Sequence, residues 1–309
     1  MPKQHHTGNS HADQIIKILD KNTSSGYRPD DVFSDWLELI EASLKALPAQ
    51  AISVASTGQL VEDTPETAAL FERLRKRYPR REHFERFSQA LAVLLESVTP
   101  DDPQDILGDI YMTYGYPNTW AGQFFTPMSI ARLMAMISMG DIESQINERI
   151  KSAIEQSPLA QAALFTSLVI NDPTEARNWY VNRIIPYCYE FIKPITVCDP
   201  CCGSGVMFLA ASACIPAWAR PLGLVQFYGM DIDQGCVRMA SINCMIYGLN
   251  GWSMKWALAL KELELKALSD PHRQAYAEAQ AAHAADDEAR VQQIAHELRT
   301  GQYQQATLF

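Results

Sequence analysis

The sequence predicts a mixed α/β protein in which a helical N-terminal part precedes a short parallel β-sheet and a helical tail follows it. Three observations predict this order. Apolar residues recur every three or four positions over residues 12–98, two short β-rich runs are each followed by a helical pattern, and residues 256–302 are rich in Ala, Gln, Glu and Arg with weak apolar periodicity. A strand, a glycine turn, a helix and a second strand, in that order, are typical of a parallel sheet.

The N-terminal third is predicted to be a helical bundle, because nothing in it alternates with a period of two. Helix starts or turns are predicted at Thr64-Pro65 and at residues 101–103, where proline follows small polar residues. A second helical group is predicted over about residues 128–191, with interruptions at Ser157-Pro158 and at residues 171–173.

The two β-rich runs define the predicted sheet. The first covers residues 195–198 and leads into a helix over residues 206–214, and the second covers residues 225–230 and leads into a helix over residues 236–247. The predicted division of the whole chain is a disordered N-terminus at 1–11, a helical domain at 12–120, a sheet domain at 121–255 with a helical insertion at about 141–193, and a helical extension and tail at 256–309.

Composition excludes several classes of protein. With 47% hydrophobic and 20% charged residues the chain is in the globular range, and the uncharged stretches fall short of the roughly 20 apolar residues that a membrane span needs. The first residues carry no apolar signal segment, so a cytoplasmic location without membrane partners is predicted, and the seven cysteines are expected to be reduced. Because the formal net charge is −10, binding to nucleic acid needs a local basic patch or a partner.

The strongest chemical signal is the segment DPCCGSG at residues 199–205. A glycine turn between a strand and a helix lets a ligand approach the backbone, and Asp199 at the strand end suits a positively charged amine. Asp231 ends the next strand, where a carboxylate is placed to accept hydrogen bonds from ribose hydroxyls. Together these features suit S-adenosylmethionine, a nucleoside with an amino-acid tail, although a glycine turn used only for packing is the open alternative.

Four segments resemble a known family in its own order. The chain reads DILGDIY at residues 105–111, GQFFTP at 122–127, DPCCGSG at 199–205 and GMDID at 229–233. These are similar to the motifs of N6-adenine DNA methyltransferases of the type found in the modification subunit of type I restriction systems. The resemblance spans roughly residues 100–250, and it implies a partial Rossmann-like sheet of an S-adenosylmethionine-dependent methyltransferase, preceded by a helical N-terminal domain.

The resemblance also implies roles for single residues. It places the methionine end of the cofactor against the GQFFTP segment, with Thr126-Pro127 capping the helix that begins near Met128, and it places the ribose and adenine against the end of the second strand. The Gly-Ser-Gly turn would form the floor, Asp199 would face the amino group, and Ile232 would pack on the adenine. The implied cofactor-binding residues are Gln123, Phe125, Thr126, Asp199, Gly203, Ser204, Gly205, Asp231 and Ile232.

The chain departs from the family at the catalytic segment. In the family an [N/D/S]-P-P-[F/Y/W] segment holds the target adenine, and no Pro-Pro occurs in these 309 residues. The nearest imitation, at residues 171–174, is better interpreted as a helix-breaking turn. Catalytic residues therefore stay unassigned. Two hypotheses follow: an N6-adenine DNA methyltransferase or its cofactor-binding subunit, acting in restriction-modification in a bacterium, or a noncatalytic relative that serves as an accessory module in DNA processing.

Three weaker features complete the predictions. The basic run around residues 73–81 is usually a solvated helix end, yet it is the best candidate for a DNA contact, through Arg75, Lys76, Arg77, Arg80 and Arg81. The terminal QATLF resembles the peptide by which bacterial proteins dock on the sliding clamp, with Gln305, Leu308 and Phe309 as contacts. A specificity subunit or a complementary methylase subunit is a further expected partner. No metal site is predicted, since the glycine turn already explains the nearby cysteines.

Overall fold

The structure is a computed structural model that describes residues 7–114 and 125–251 of the 309-residue chain. The described residues form two compact units. The first unit contains residues 7–114, 125–142 and 196–251, and the second contains residues 143–195. All seven cysteines are free thiols. Within the described ranges, no helix is both long and apolar enough to cross a membrane.

The first unit begins with a helical part, as predicted. Its core encloses Trp36, which is fully buried and donates a hydrogen bond from its indole nitrogen to the carbonyl of Phe87 at 3.0 Å. The helix expected from about residue 12 begins two residues earlier, because the Asn9 side chain accepts the exposed N–H of His11 at 3.0 Å. The helices are α1 (Ser10–Thr23), α2 (Pro29–Thr57), α3 (Pro65–Arg77), α4 (Arg81–Glu96) and α5 (Ile106–Thr113).

The same unit continues with the two-stranded sheet and three helices, which are α6 (Met128–Met139), β1 (Ile195–Asp199), α11 (Val206–Ala213), β2 (Val225–Gly229) and α12 (Gln234–Ile246). Both strands lie where the sequence predicts them. The N–H of Met230, just past β2, donates to the carbonyl of Asp199 at the end of β1, at 3.0 Å. The two strands therefore end at the same edge, which makes the sheet parallel and confirms the predicted strand–turn–helix–strand order.

Helix α6 turns small side chains inward. Ala131 and Ala135 are buried on the side that packs against α11. Met139 is buried as well, whereas five other large apolar side chains of the helix are exposed within the described part of the chain, namely Ile130, Leu133, Met134, Met136 and Ile137. Small residues at the contact let the two helices approach closely, and they leave an apolar outer face on α6.

The second unit is helical. Its members are α7 (Ile142–Ile154), α8 (Pro158–Ser167), α9 (Pro173–Trp179), a π-helical turn (Tyr180–Ile184) and α10 (Ile185–Cys188). Two of these helices begin at the predicted interruptions. Ser157 caps α8 by accepting the N–H of Ala160 at 3.2 Å, and Asp172 caps α9 by accepting the N–H of Glu175 at 2.8 Å. The predicted interruption at residues 171–173 is thus the point at which α9 begins.

Candidate functional site

The glycine turn after β1 is closed by backbone hydrogen bonds to the end of β2. The N–H of Cys202 donates to the carbonyl of Met230 at 2.9 Å, next to the bond that joins Met230 to Asp199. The Asp199 carboxylate accepts the N–H of Cys201 at 2.9 Å and stays half-buried. These bonds fix the path of the turn and leave the Asp199 side chain at its rim.

Asp231 connects the acidic end of β2 to the glycine turn. One carboxylate oxygen accepts the N–H of Gly203 at 2.9 Å, and the other accepts the N–H of Asp233 at 2.9 Å. Asp233 in turn caps α12 by accepting the N–H of Gly235 at 2.7 Å. The structure thus brings the two motifs that the sequence paired into direct contact.

The inner side of the turn is held by a buried carboxylate. Asp105 accepts hydrogen bonds from the Ser204 hydroxyl, from the Asn243 side-chain amide at 3.2 Å and from the N–H of Gly108 at 3.0 Å. Asn243 also donates to the Ser204 carbonyl at 2.8 Å. Burial raises the pKa of Asp105, and the three hydrogen bonds oppose that rise.

The side chain of Ser204, a residue predicted for the ligand floor, is bound from the inner side of the turn. The residue is fully buried and its hydroxyl donates to Asp105, although it also contributes to the lining of the cleft described below. Gly205, also predicted for the ligand floor, has φ of +87°, and a Cβ there would lie 3.1 Å from the Cα of Ala240 on α12. The contact with Asp105 at the start of α5 accounts for a serine at position 204, and the close approach of α12 accounts for a glycine at position 205.

An aromatic pair covers the glycine turn. The rings of Tyr111 and Phe125 stack with their centroids 5.1 Å apart at 14°. The Tyr111 hydroxyl donates to Asp233 at 2.9 Å, and burial together with that carboxylate raises the pKa of Tyr111. A Cβ on Gly203 would lie 3.3 Å from the ring of Phe125, so the ring packs directly on the turn. Phe125 thus joins the four quoted segments at one place.

A cleft of about 410 Å³ opens between α6, the end of β1 and the glycine turn. Phe125, Thr126, Asp199, Gly203 and Ser204 line it, which brings five of the predicted cofactor residues together. Helix α6 begins at Met128 as predicted, but Pro127 occupies the cap position with no side-chain hydrogen bond. The predicted capping role of Thr126 is wrong, because a proline that lacks an N–H leaves fewer donors to satisfy at that end.

Asp231 and Ile232 are not among the described residues that line this cleft. They follow β2, and Ile232 is 98% exposed. Tyr228 and Met230, from the same strand end, are also exposed. The end of β2 therefore presents an apolar surface beside the carboxylate of Asp231.

The cysteines around the turn differ in environment. All three of Cys198, Cys201 and Cys202 contribute to the lining of the cleft, but the first two are exposed and Cys202 is buried. Burial, followed by the negative charges of Asp231 and Asp199, raises the pKa of Cys202 to about 11. Cys202 is thus a protonated thiol at neutral pH and serves to pack the turn.

Of the remaining predicted residues, the structure describes the basic ones and does not describe the others. The basic residues Arg75, Lys76, Arg77, Arg80 and Arg81 lie at the junction of α3 and α4, away from the cleft in sequence. Gln123 and the terminal contacts Gln305, Leu308 and Phe309 lie outside the described residues, as does the predicted helical extension at 256–309.

Sequence reasoning gave Asn243 no role, although a signal was present. The buried positions of α12 follow the helical period, and Asn243 is the polar residue within that apolar stripe, at 1% exposed. A buried amide normally has hydrogen-bond partners. The partners Asp105 and Ser204 are distant in sequence, so only the fold identifies them.

Comparison with known proteins supports the resemblance. A family model described as N-6 DNA methylase matches residues 180–280, about a third of the chain. The match contains the DPCCGSG turn and the GMDID strand end. A search of the curated proteins gave no significant match, and a search of the solved structures gave none either. The matched stretch confirms the relation to N6-adenine DNA methyltransferases.

Proposed function

We propose that this chain, whose residues 180–280 belong to the N6-adenine DNA methylase family, is an N6-adenine DNA methyltransferase or the cofactor-binding subunit of one. Its cofactor is S-adenosylmethionine, which supplies an activated methyl group when bound. The observation that carries the proposal is the meeting of the glycine turn, the Asp231 carboxylate and the Phe125 ring at one corner of the sheet. Members of this family generally use that cofactor.

The side chains present fit the parts of this cofactor. Each carboxylate oxygen of Asp231 accepts one backbone N–H, and a carboxylate offers about four acceptor positions, so room remains for the two ribose hydroxyls. Asp199 offers negative charge at the cleft rim for the amino group. The 98% exposed side chain of Ile232 provides an aliphatic surface for the adenine. Phe125 and Thr126 line the cleft where the methionine end would lie.

Calorimetric titration with S-adenosylmethionine tests this assignment. Asp231→Ala should weaken binding at least tenfold, because loss of a hydrogen bond to a charged group costs about 1.5 to 3 kcal/mol. Asp231 also accepts the N–H of Gly203, so the Ala variant could disturb the glycine turn. The nearly isosteric Asp231→Asn is therefore measured as a second variant, and circular dichroism checks that both variants fold. Absence of binding by the wild-type chain would refute the assignment.

A matched pair of exposed residues sharpens the test. Ile232→Ser should weaken binding about threefold to tenfold, because an apolar contact with the adenine is lost. Val237→Ser removes a similar exposed aliphatic side chain from α12 and should leave binding unchanged. Equal effects of the two substitutions would contradict the placement of the adenine on Ile232.

A second candidate function rests on the sequence itself. No Pro-Pro occurs in the 309 residues, and the family holds its target adenine with such a segment. The alternative is therefore a catalytically inactive relative that acts as an accessory module in DNA processing. Transfer of radiolabelled methyl groups to mixed genomic DNA by the purified chain would exclude it. Cofactor binding without transfer, both for the chain alone and for the chain co-expressed with its genomic neighbours, would support it.

The expected partners are part of the same proposal. By resemblance to the modification subunit of type I systems, they are a specificity subunit or a complementary methylase subunit in a bacterial cytoplasm. The terminal QATLF adds the sliding clamp. Pull-down with the clamp, comparing the full chain with one that ends at Thr307, tests that contact, and equal retention of the two would refute it.

A further inference from the structure

A groove lies at the junction of α3 and α4, outside the cofactor cleft. It measures about 480 Å³, and five of the residues that line it are Phe71, Arg75, Arg80, Arg81 and Phe84. Both phenylalanine side chains are half-buried, and the three arginine residues are exposed. We call this surface the junction groove. It combines aromatic rings with guanidinium groups on a chain whose net charge is −10.

The structure separates the basic run of this region into paired and available cations. Arg77 forms ion pairs with Asp31 and with Asp35, the latter at 3.0 Å, and Asp35 is almost fully buried. Lys76 pairs with Glu72 at 2.7 Å on the same helix. Arg77 is therefore held by a buried carboxylate, whereas the Lys76 pair is exposed on both sides and is screened by water.

Arg75 and Arg80 are different. Neither makes an ion pair with any residue that the structure describes. Arg81 pairs with Glu85 at 2.8 Å, but the two side chains are 91% and 51% exposed, so water screens that pair strongly. Three of the predicted DNA contacts, Arg75, Arg80 and Arg81, thus bring available positive charge to the junction groove.

We propose that the junction groove binds single-stranded DNA, with phosphates on Arg75 and Arg80 and bases on Phe71 and Phe84. Guanidinium groups match phosphate oxygens, and aromatic side chains stack on bases of any sequence. The base faces are accessible only when the strand is unpaired, which favours a single strand over a duplex. The groove belongs to the helical part of the chain, so this site goes beyond the proposed cofactor binding and does not depend on it.

Fluorescence anisotropy with a labelled oligothymidylate tests the proposal in the absence of S-adenosylmethionine. The wild-type chain should bind the single strand more tightly than a duplex of equal length at low salt. The double variant Arg75→Ala, Arg80→Ala should bind about tenfold more weakly, and its salt slope should fall by about 1.4, because each phosphate contact on a single strand contributes about 0.7.

A charge-matched control distinguishes the effect of the junction groove from the effect of the protein's overall charge. Lys17→Ala with Lys21→Ala removes the same charge from exposed positions on α1, and it should change binding less than twofold. Phe84→Leu keeps an apolar side chain but loses the ring, and it should weaken binding about fivefold with an unchanged salt slope. Thermal unfolding by circular dichroism verifies that each variant folds.

Three results would overturn the proposal. They are no binding of the oligothymidylate by the wild type at low salt, equal or tighter binding of the duplex, and equal losses in the arginine variant and the lysine control. Because no cofactor is present in the assay, none of these results bears on the proposed cofactor site.

Discussion

The two sides of the glycine turn differ in the environment of their side chains, which is buried on the inner side and open on the outer side. On the inner side Ser204 is fully buried against Asp105 and Asn243. On the outer side Asp199 and Cys201 line an open cleft. Residues a few positions apart in one motif therefore serve different ends, and the difference shows that a family motif combines positions that hold the fold with positions that can meet a ligand.

The largest expected effect lies on the inner side. Asp105→Ala should lower the free energy of unfolding by about 3 kcal/mol, because Ser204, Asn243 and the N–H of Gly108 lose their acceptor in a buried place. Urea unfolding followed by circular dichroism measures it. Asp109→Ala, at an exposed position on the same helix, should change stability by less than about 1 kcal/mol. Similar losses in the two variants would contradict the contrast between the two sides.

Gly205→Ala should cost about 2 kcal/mol of stability. The substitution combines a left-handed backbone with a Cβ placed 3.1 Å from the Cα of Ala240. Gly58→Ala has a similar φ of +71° but open space around it, so it should cost only about 1 kcal/mol. Equal melting-temperature shifts in the two variants would show that α12 can move away from the turn.

The pH dependence of stability reports on the same buried carboxyl. Because the pKa of Asp105 is raised on folding, its contribution is complete below the ordinary carboxyl value of 3.8 and is lost as pH rises through the folded value. The stability advantage of wild type over Asp105→Asn should therefore shrink by about 1 kcal/mol between pH 4 and pH 8. An advantage that grows over that interval would show that the carboxylate form is favoured instead.

The smallest expected effect lies on the outer side. Ile232→Ser should change the free energy of unfolding by less than about 0.5 kcal/mol, because the side chain is 98% exposed and has little packing to lose. Denaturant unfolding of the free chain is the measurement. A loss above about 1 kcal/mol would mean that Ile232 packs within the chain and is not presented to a ligand.

The sequence predicts elements better than it predicts the direction of a side chain. The apolar periodicity and the positions of proline and glycine predict β1, β2 and the helix starts at Pro65, Pro158 and Pro173. They can do so because both signals are local properties of the chain. Asp231 and the glycine turn, which the sequence assigned to one ligand, are in direct contact. The burial of Ser204 depends on Asp105, 99 positions earlier, and no local pattern contains that contact.

The same limit applies to charge. The basic run around residues 73–81 was identified from composition, but which cations are available depends on Asp31 and Asp35 of α2. Such acidic partners are set by helix packing and are not visible in the run itself. The prediction of a DNA contact through all five residues is thereby narrowed, within the proposal above, to the three that line the junction groove.

The neighbouring thiols Cys201 and Cys202 offer a chemical means of watching the cleft. Cys201 is exposed on its lining, while Cys202 is buried and its pKa is raised to about 11. An alkylating reagent needs an accessible thiolate, so a maleimide should modify Cys201 long before Cys202. The rate of that labelling would report, through mass spectrometry, whether the cleft is filled, and it would do so without any turnover.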